Sequence, residues 1–329
     1  GKYISYTEEH PITMNPFRIK REELNVEKTG FLKNLIMLIW KGTQGTVTKT
    51  EDRLIEQVIT EYYDVYFNGF NGFTPPQRED LRKGLLIDDR NKNVNSGETE
   101  DERKKGIEAQ IDDIESRRKQ LPVTELSFNS FYEFSVQRIP DICQENQIQG
   151  IDISTYRYMM KDFYRGGNHD KTLNEDLDST LFDETFIVFE IDSIKDDPLL
   201  FPLVTLIIMD VFIQKMRIKK NRKVLVIEEA WKAIASPMMA EYIKYLYKTA
   251  RKFWASVGVV TQEIQDIVGS PIVKEAIINN SDVVMLLDQS KFRERFDEIK
   301  AILCLTDVDC KKIFTINRLE NKERRSFFR

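Results

Sequence analysis

Cysteine and histidine are scarce in this chain of 329 residues, which contains three cysteines and two histidines. Cys143, Cys304 and Cys310 form no CxxC pair, and His10 and His169 lie far apart in the sequence. This spacing excludes the common zinc motifs and a disulfide framework. Reduced thiols fit a cytoplasmic compartment, and a chain of this length can bury a core without such covalent links.

A long hydrophobic run is also missing. The longest apolar stretch, Leu199 to Ile213, contains Pro202 and Asp210. It is shorter than the roughly 20 apolar residues that a helix needs to cross a membrane. We therefore expect a buried helix in this stretch.

The chain has no excess of positive charge, since its net charge is −5 and its pI is about 5.5. This balance removes a general electrostatic attraction to nucleic acid. A local basic patch stays compatible with the composition, but no cluster of basic and aromatic residues is apparent along the sequence. A DNA contact is therefore not indicated.

A short apolar run followed by two acids is the most informative local pattern. Val224 to Ile227 is apolar and rich in β-branched residues, and Glu228 and Glu229 follow at once. The run predicts a strand covered on both faces of a parallel sheet. Ligands of open α/β sheets bind outside the carboxyl ends of the strands, where both carboxylates would lie.

An apolar strand that ends in two acids is the Walker B pattern of nucleoside triphosphatases. One acid holds Mg²⁺, directly or through water, and its neighbour orients or deprotonates the attacking water. The same residues also suit a buried strand that leaves its sheet through two solvated acids. From this stretch alone both interpretations stay open.

The character of the chain changes near residue 185. Residues 30–183 read as nearly all helix, with an exposed loop predicted at 88–102, where polar residues dominate. Strand and helix patterns then alternate to the end. This alternation predicts a parallel α/β sheet with an all-helical block inserted into it. The predicted strands are Phe186–Asp192, Val224–Glu228, Ser256–Gln262 and Asp282–Leu287.

Other predicted strands also end in polar residues, and a basic residue precedes one of them. Asp192, the Glu228 and Glu229 pair, and Gln262 could converge at one sheet edge, where Gln262 would contact the attacking water and a γ-phosphate oxygen. A polar residue often ends a strand, so this signal is weak alone. Arg251 suits either a helix C-terminus or an arginine finger that reaches a neighbouring subunit.

Six separated segments together closely resemble the TraG conjugation ATPases of Bacteroides-type conjugative transposons, which are TraC-like, VirB-type ATPases of type IV secretion. A seventh segment, Pro11–Phe17, resembles the region downstream of their first nucleotide-binding motif. The six segments are Phe186–Asp192, Leu200–Pro202, Arg222–Ala235, Lys248–Phe253, Val259–Glu263 and Ile277–Asp282.

The resemblance implies a RecA-like fold of the FtsK and HerA type, in which residues 1–29 and 184–329 form the core and 30–183 a helical insertion. It implies a hexamer that hydrolyses ATP with Mg²⁺ at the cytoplasmic face of the inner membrane, with secretion-channel and coupling proteins as partners. By carry-over, Glu228 is the metal position, Glu229 the catalytic base, Gln262 the sensor and Arg251 a basic residue acting in trans.

The chain departs from the family at two places. Glu228 stands where many relatives have Asp, so its metal contact would run through water. None of the 14 glycines lies in a GxxxxGK motif followed by Ser or Thr, so the phosphate cradle is missing. We expect the cradle upstream of this C-terminal portion, which would hydrolyse little ATP alone. The alternative is a non-catalytic docking module of the secretion apparatus.

Overall fold

The computed structural model describes residues 1–7, 9–92, 99–228, 237–261, 277–316 and 327–328. The chain forms two compact units, Gly1–Asp210 and Val211–Arg329.

In the first unit one strand precedes the helical region, another follows it, and the two pair in parallel. β1 (Lys2–Ser5) pairs with β2 (Ile187–Glu190), with Lys2 opposite Ile187 and Ser5 opposite Glu190. This pairing is what a helical insertion between two neighbouring strands requires. The limits of the insertion at residues 30 and 183 stay a prediction. The helices between the strands are α1 (Val26–Lys41), α2 (Lys49–Asn68), α3 (Pro75–Lys92), α4 (Glu100–Lys119), α5 (Phe128–Glu145) and α6 (Ile153–Met160).

The helical region is held together by an aromatic core between α2, α5 and the segment before α1. The rings of Phe17 and Phe131 stack at 4.9 Å, and Tyr62 meets Phe131 edge-on at 5.3 Å. The Tyr63 hydroxyl donates to the Phe17 carbonyl at 2.9 Å, so this buried phenol keeps a hydrogen-bond partner. Side chains cap the helices where their patterns begin, with Asn25 accepting from two amides at the start of α1.

The exposed loop predicted at 88–102 is wrong at both ends. Residues 88–92 belong to α3, and α4 begins at Glu100 with Thr99 as its cap. The two helices are joined by ion pairs from Arg78 and Arg82 to acids of α4, and by a small apolar cluster. Residues 88–102 themselves are mostly polar and lack apolar periodicity, so their sequence marks neither the end of α3 nor the start of α4.

The apolar stretch near residue 200 forms the expected helix, α7 (Leu200–Ile218). Asp210 is buried within it, and its carboxylate accepts a hydrogen bond from Lys28 at 2.8 Å. A buried carboxylate needs such a partner. Among the described residues, no helix is both long and apolar enough for a membrane span.

The second unit contains a parallel strand pair and a smaller C-terminal cluster. β3 (Lys223–Ile227) pairs with β4 (Ala255–Val259), and α8 (Pro237–Thr249) packs on β4. The cluster is built around Phe296, Ile299 and Ile313. It consists of β5 (Met285–Leu286), β6 (Phe327–Phe328), a 3₁₀ turn (Ser290–Arg295), α9 (Phe296–Ile302) and α10 (Asp307–Ile313).

Two strand predictions need correction. Only Met285 and Leu286 of the fourth predicted strand form a ladder, and they pair antiparallel with β6 and not with the parallel strands. β3 is not covered on both faces either, since Val224 is 69% exposed and Val226 57% exposed. The apolar run specified the strand correctly, but coverage depends on distant segments that local sequence does not encode.

Candidate active site at the strand ends

The parallel pairing of β3 and β4 brings their carboxyl ends to one edge. Lys223 lies opposite Ala255 and Ile227 opposite Val259, and the Val260 amide donates to the Ile227 carbonyl at 2.9 Å. The ladder therefore runs to the point where both strands end. Ligands of parallel sheets bind at this edge.

Glu228 is the predicted site residue that the structure places at this edge. It lies in the turn directly after β3, with its side chain exposed to solvent. Glu229 follows it, and Gln262 follows Thr261 after β4, but Glu229 and Gln262 lie outside the described residues. Their roles stay predictions.

A tyrosine that the sequence pattern did not single out fixes the end of β4. Burial raises the pKa of Tyr247 to about 12, although its hydroxyl hydrogen-bonds with the Val259 backbone and the Ser281 side chain, and both bonds favour the ionised form. The phenol is therefore neutral at pH 7 and links α8 to the carboxyl end of β4. Its only sequence signal was its position beside the apolar stripe of α8, next to Leu246.

Arg251 lies at the opposite end of the strand pair. It belongs to a 3₁₀ turn (Ala250–Phe253) that precedes β4, and its side chain is exposed. Because a strand rises about 3.3 Å per residue, the length of β3 puts Arg251 roughly 15–20 Å from Glu228 along the strand direction. Within one chain the two side chains do not share a site.

Asp192, the remaining strand-end acid, lies in the first unit. It begins a 3₁₀ turn after β2, where its amide donates to the Glu190 carboxylate at 2.8 Å. Its own carboxylate is 2.9 Å from the Lys195 ammonium. These local contacts account for its position, and its convergence with the acids after β3 stays a prediction.

The described residues contain no cluster of three or more His, Cys, Asp or Glu side chains that could hold a metal ion. Mg²⁺ in nucleotide sites uses one or two carboxylates together with phosphate oxygens and water. One exposed carboxylate at the sheet edge fits that donor set, since it leaves room for the phosphates and waters.

A sequence model of the TraG P-loop domain matches residues 1–74 and 92–328. The chain belongs to this family. The match confirms the family predicted from the six segments. Its gap at 75–91 coincides with α3, so this helix is not part of the pattern that defines the TraG P-loop domain.

Two solved structures match this chain over nearly its whole length. VirB4 of Thermoanaerobacter pseudethanolicus shares 17% sequence identity at a TM-score of 0.56, over 99% of this chain and 76% of that one. The bacterial conjugative coupling protein TrwB shares 11% identity at a TM-score of 0.38, over 99% of this chain and 66% of that one. No curated protein matches the sequence. The likeness to VirB4 supports a mixed α/β fold for this TraG-family chain.

Proposed function

We propose that this TraG-family chain is the catalytic part of an ATPase that energises conjugative transfer through a type IV secretion system. The energy would serve assembly of the apparatus or passage of DNA or protein. The observation that supports this proposal most is the shared carboxyl edge of β3 and β4, which Glu228 borders and Glu229 and Gln262 follow in sequence. The arrangement of the core would be RecA-like, of the FtsK and HerA type.

In this proposal each residue at the edge has a separate task. Glu229 accepts a proton from the attacking water, and Gln262 orients that water and contacts the γ-phosphate. Glu228 holds Mg²⁺, through water if its longer side chain requires it. Bound with ATP, the metal neutralises charge on the β- and γ-phosphates.

The protein would act as a hexamer at the cytoplasmic face of the inner membrane, with secretion-channel and coupling proteins as partners. Arg251 would contact a nucleotide only through self-association. It is exposed and lies roughly 15–20 Å from Glu228 along the strand direction, so it could reach a nucleotide only in a neighbouring subunit.

The missing phosphate cradle provides the first test of the proposal. We expect rapid Mg²⁺-dependent ATP hydrolysis from protein extended upstream to include a GxxxxGK motif, and little from the 329-residue chain. Replacing the lysine of that motif with alanine serves as the control and should abolish turnover. Metal-dependent hydrolysis by the 329-residue chain itself would show that the missing cradle is not needed. No gain on extension would remove the support for an ATPase.

A subunit-mixing experiment tests the proposed role of Arg251 in trans. We expect Arg251→Ala and Glu229→Gln to be inactive separately, each losing at least a hundredfold in turnover. When the two are mixed and reassembled, some interfaces combine an intact Glu229 with an intact Arg251. Hydrolysis should then recover to a measurable fraction of the wild-type rate. Recovery that fails in verified mixed oligomers would show that Arg251 does not act across the interface.

One observation favours the docking alternative. α3 lies outside the family match, and its exposed surface is charged through Glu79, Lys83 and their neighbours. A helix added to a common core is a natural place for a partner specific to one secretion system. In that case the glutamates after β3 would be dispensable, and transfer would survive their replacement.

A further inference from the structure

The strand pair has a second edge at its amino ends, to which the proposed nucleotide site of the same chain does not extend. In the proposed function only Arg251 of this edge has a task, at the nucleotide of a neighbouring subunit. Two segments meet there because Lys223 lies opposite Ala255. Residues 215–223 comprise the last turn of α7, the turn after it and the first residue of β3. Residues 251–254 lie between α8 and β4. We call these two segments the basic edge.

The composition of the basic edge differs sharply from that of the whole chain. Its 13 residues include eight Lys or Arg and no Asp or Glu, whereas the chain has a net charge of −5. No acidic residue occurs anywhere from 211 to 227 or from 242 to 262. Lys220, Arg222 and Lys252 have exposed side chains. Positive charge of this density attracts a polyanion.

The two segments of the basic edge are in direct contact. The Lys223 ammonium donates to the Phe253 carbonyl at 3.0 Å, and the Lys223 amide donates to the Trp254 carbonyl at 3.1 Å. The guanidinium of Arg217 lies 5.7 Å from the centre of the Phe253 ring. The charges that are about 30 residues apart in sequence therefore belong to one surface.

An aromatic side chain projects from this surface. Trp254 is 69% exposed, and its backbone is held in the left-handed region at φ 56°. Its amide donates to the Arg251 carbonyl, and its own carbonyl accepts from Lys223, so both ends of the residue are fixed. A large side chain is rarely kept in water in a strained conformation unless the surroundings or a ligand require it.

We propose that the basic edge binds single-stranded nucleic acid, with Trp254 as a base-stacking platform and the surrounding lysines and arginines as phosphate contacts. Sequence-independent single-strand sites combine these two features, because every base has a face to stack and every nucleotide a charge. Hydrogen bonds fix the backbone of Trp254 on both sides, which suits a rigid platform for a stacked base. The inference does not depend on ATP hydrolysis.

The test measures binding of a fluorescent oligothymidine to the 329-residue chain without nucleotide, across a range of salt concentrations. We expect Trp254→Ala to weaken binding at least about fivefold, and Trp254→Phe to restore most of it. Tyr158→Ala removes an aromatic that is 78% exposed elsewhere, and should have no effect. The indole fluorescence lost in Trp254→Phe should be the part that the oligonucleotide quenches in the wild type.

Charge removal gives an independent readout. The pair Lys220→Ala and Arg222→Ala should lower the slope of log affinity against log salt by about 1.4, because each single-strand phosphate contact contributes about 0.7. The pair Lys83→Ala and Lys105→Ala removes the same charge from exposed positions of α3 and α4 and should leave the slope unchanged. Thermal unfolding confirms that each variant is folded.

Three results would overturn the proposal. The first is no binding at low salt. The second is an equal loss of affinity in the variant of Lys220 and Arg222 and in the control variant at two other lysines, which would indicate only non-specific attraction. The third is a preference for anionic phospholipid vesicles or an acidic peptide over the oligonucleotide, which would assign the basic edge to a membrane or a protein. ATPase assays are not part of the test, so failure here leaves the proposed motor function intact.

Discussion

Glu229→Gln should reduce ATP hydrolysis by two to four orders of magnitude in protein that carries the phosphate cradle. Glutamine has the shape of glutamate, but it does not accept a proton from water at neutral pH. Loss of a positioned general base typically costs a factor of 10²–10⁴. ATP binding should persist, because the base acts on the attacking water and not on the nucleotide.

The measurement is steady-state hydrolysis with a separate nucleotide-binding assay for each variant. Glu22→Gln makes the same change at an exposed residue near α1 and should leave the rate unchanged. Glu228→Gln should behave differently from both, raising the Mg²⁺ concentration needed for half-maximal turnover. If Glu229→Gln hydrolyses ATP within about threefold of the wild type, Glu229 is not the base.

The same variant separates the motor from the docking module in cells. A motor stops transferring when hydrolysis stops, whereas a docking module keeps working. Loss of both hydrolysis and transfer in Glu229→Gln would support the motor. Transfer that persists without hydrolysis would move the function to a surface such as α3, whose deletion would then be the informative change.

The elements near the candidate site were predictable because their signals are local. β3 follows from four apolar residues in a row, and β4 lies within the run predicted as a strand at Ser256–Gln262 apart from its first residue. The end of β3 at Ile227 places Glu228 at the sheet edge without any knowledge of distant contacts. The sequence therefore places Glu228 at this edge, whereas the roles predicted for Glu228, Glu229, Gln262 and Arg251 stay predictions.

Features that depend on distant pairing were missed. The exposure of Val224 depends on which elements cover β3. The antiparallel pairing of Met285 depends on residues more than 40 positions away. The basic edge is not evident along the sequence because the basic residues of 215–223 lie about 30 positions from Trp254. Only the register of β3 and β4 combines them.

A buried ion network among the described residues was also invisible in the sequence. Arg138 lies in α5 with a side chain that is 1% exposed. Its guanidinium makes two bidentate contacts, with shortest distances of 2.6 Å to Glu61 of α2 and 2.6 Å to Glu145 of α5. Arg118 of α4 also contacts Glu61, at 2.9 Å. A charged residue beside an apolar stripe normally faces solvent. Here Arg138 and Arg118 both contact Glu61, and these contacts join α2, α4 and α5.

Arg138→Met should destabilise the protein by about 3–5 kcal/mol, the usual result when one partner of a buried ion pair is removed. Methionine fills much of the volume, so the cost comes mainly from Glu61 and Glu145, which lose their hydrogen bonds from Arg138. Arg53→Met makes the same change on the exposed face of α2 and should cost less than about 0.5 kcal/mol. Chemical denaturation monitored by circular dichroism measures both.

The pH dependence of this loss identifies its origin. Burial disfavours the ionised form of Glu61, but the Arg138 hydrogen bonds and the charges of Arg138 and Arg118 outweigh it and lower the pKa of Glu61. A lowered folded pKa means that the stabilisation is complete above the ordinary glutamate pKa of 4.5 and is lost as the pH falls through the folded value. The difference between wild type and Arg138→Met should therefore be largest near pH 7 and shrink as the pH falls below 4.5 and through the lowered pKa of Glu61.

A triple replacement distinguishes unpaired carboxylates from lost packing. Glu61→Gln and Glu145→Leu, added to Arg138→Met, remove both carboxylates that the single change separates from Arg138. The glutamine amide oxygen can still accept from Arg118, which contacts Glu61 at 2.9 Å. Apolar residues of similar volume often replace a buried ion network at no net cost. We expect the triple variant to recover most of the stability that Arg138→Met loses. If it is as unstable as the single variant, the three helices depend on the geometry of these hydrogen bonds and not on neutralising the charges, and the loss should not vary with pH.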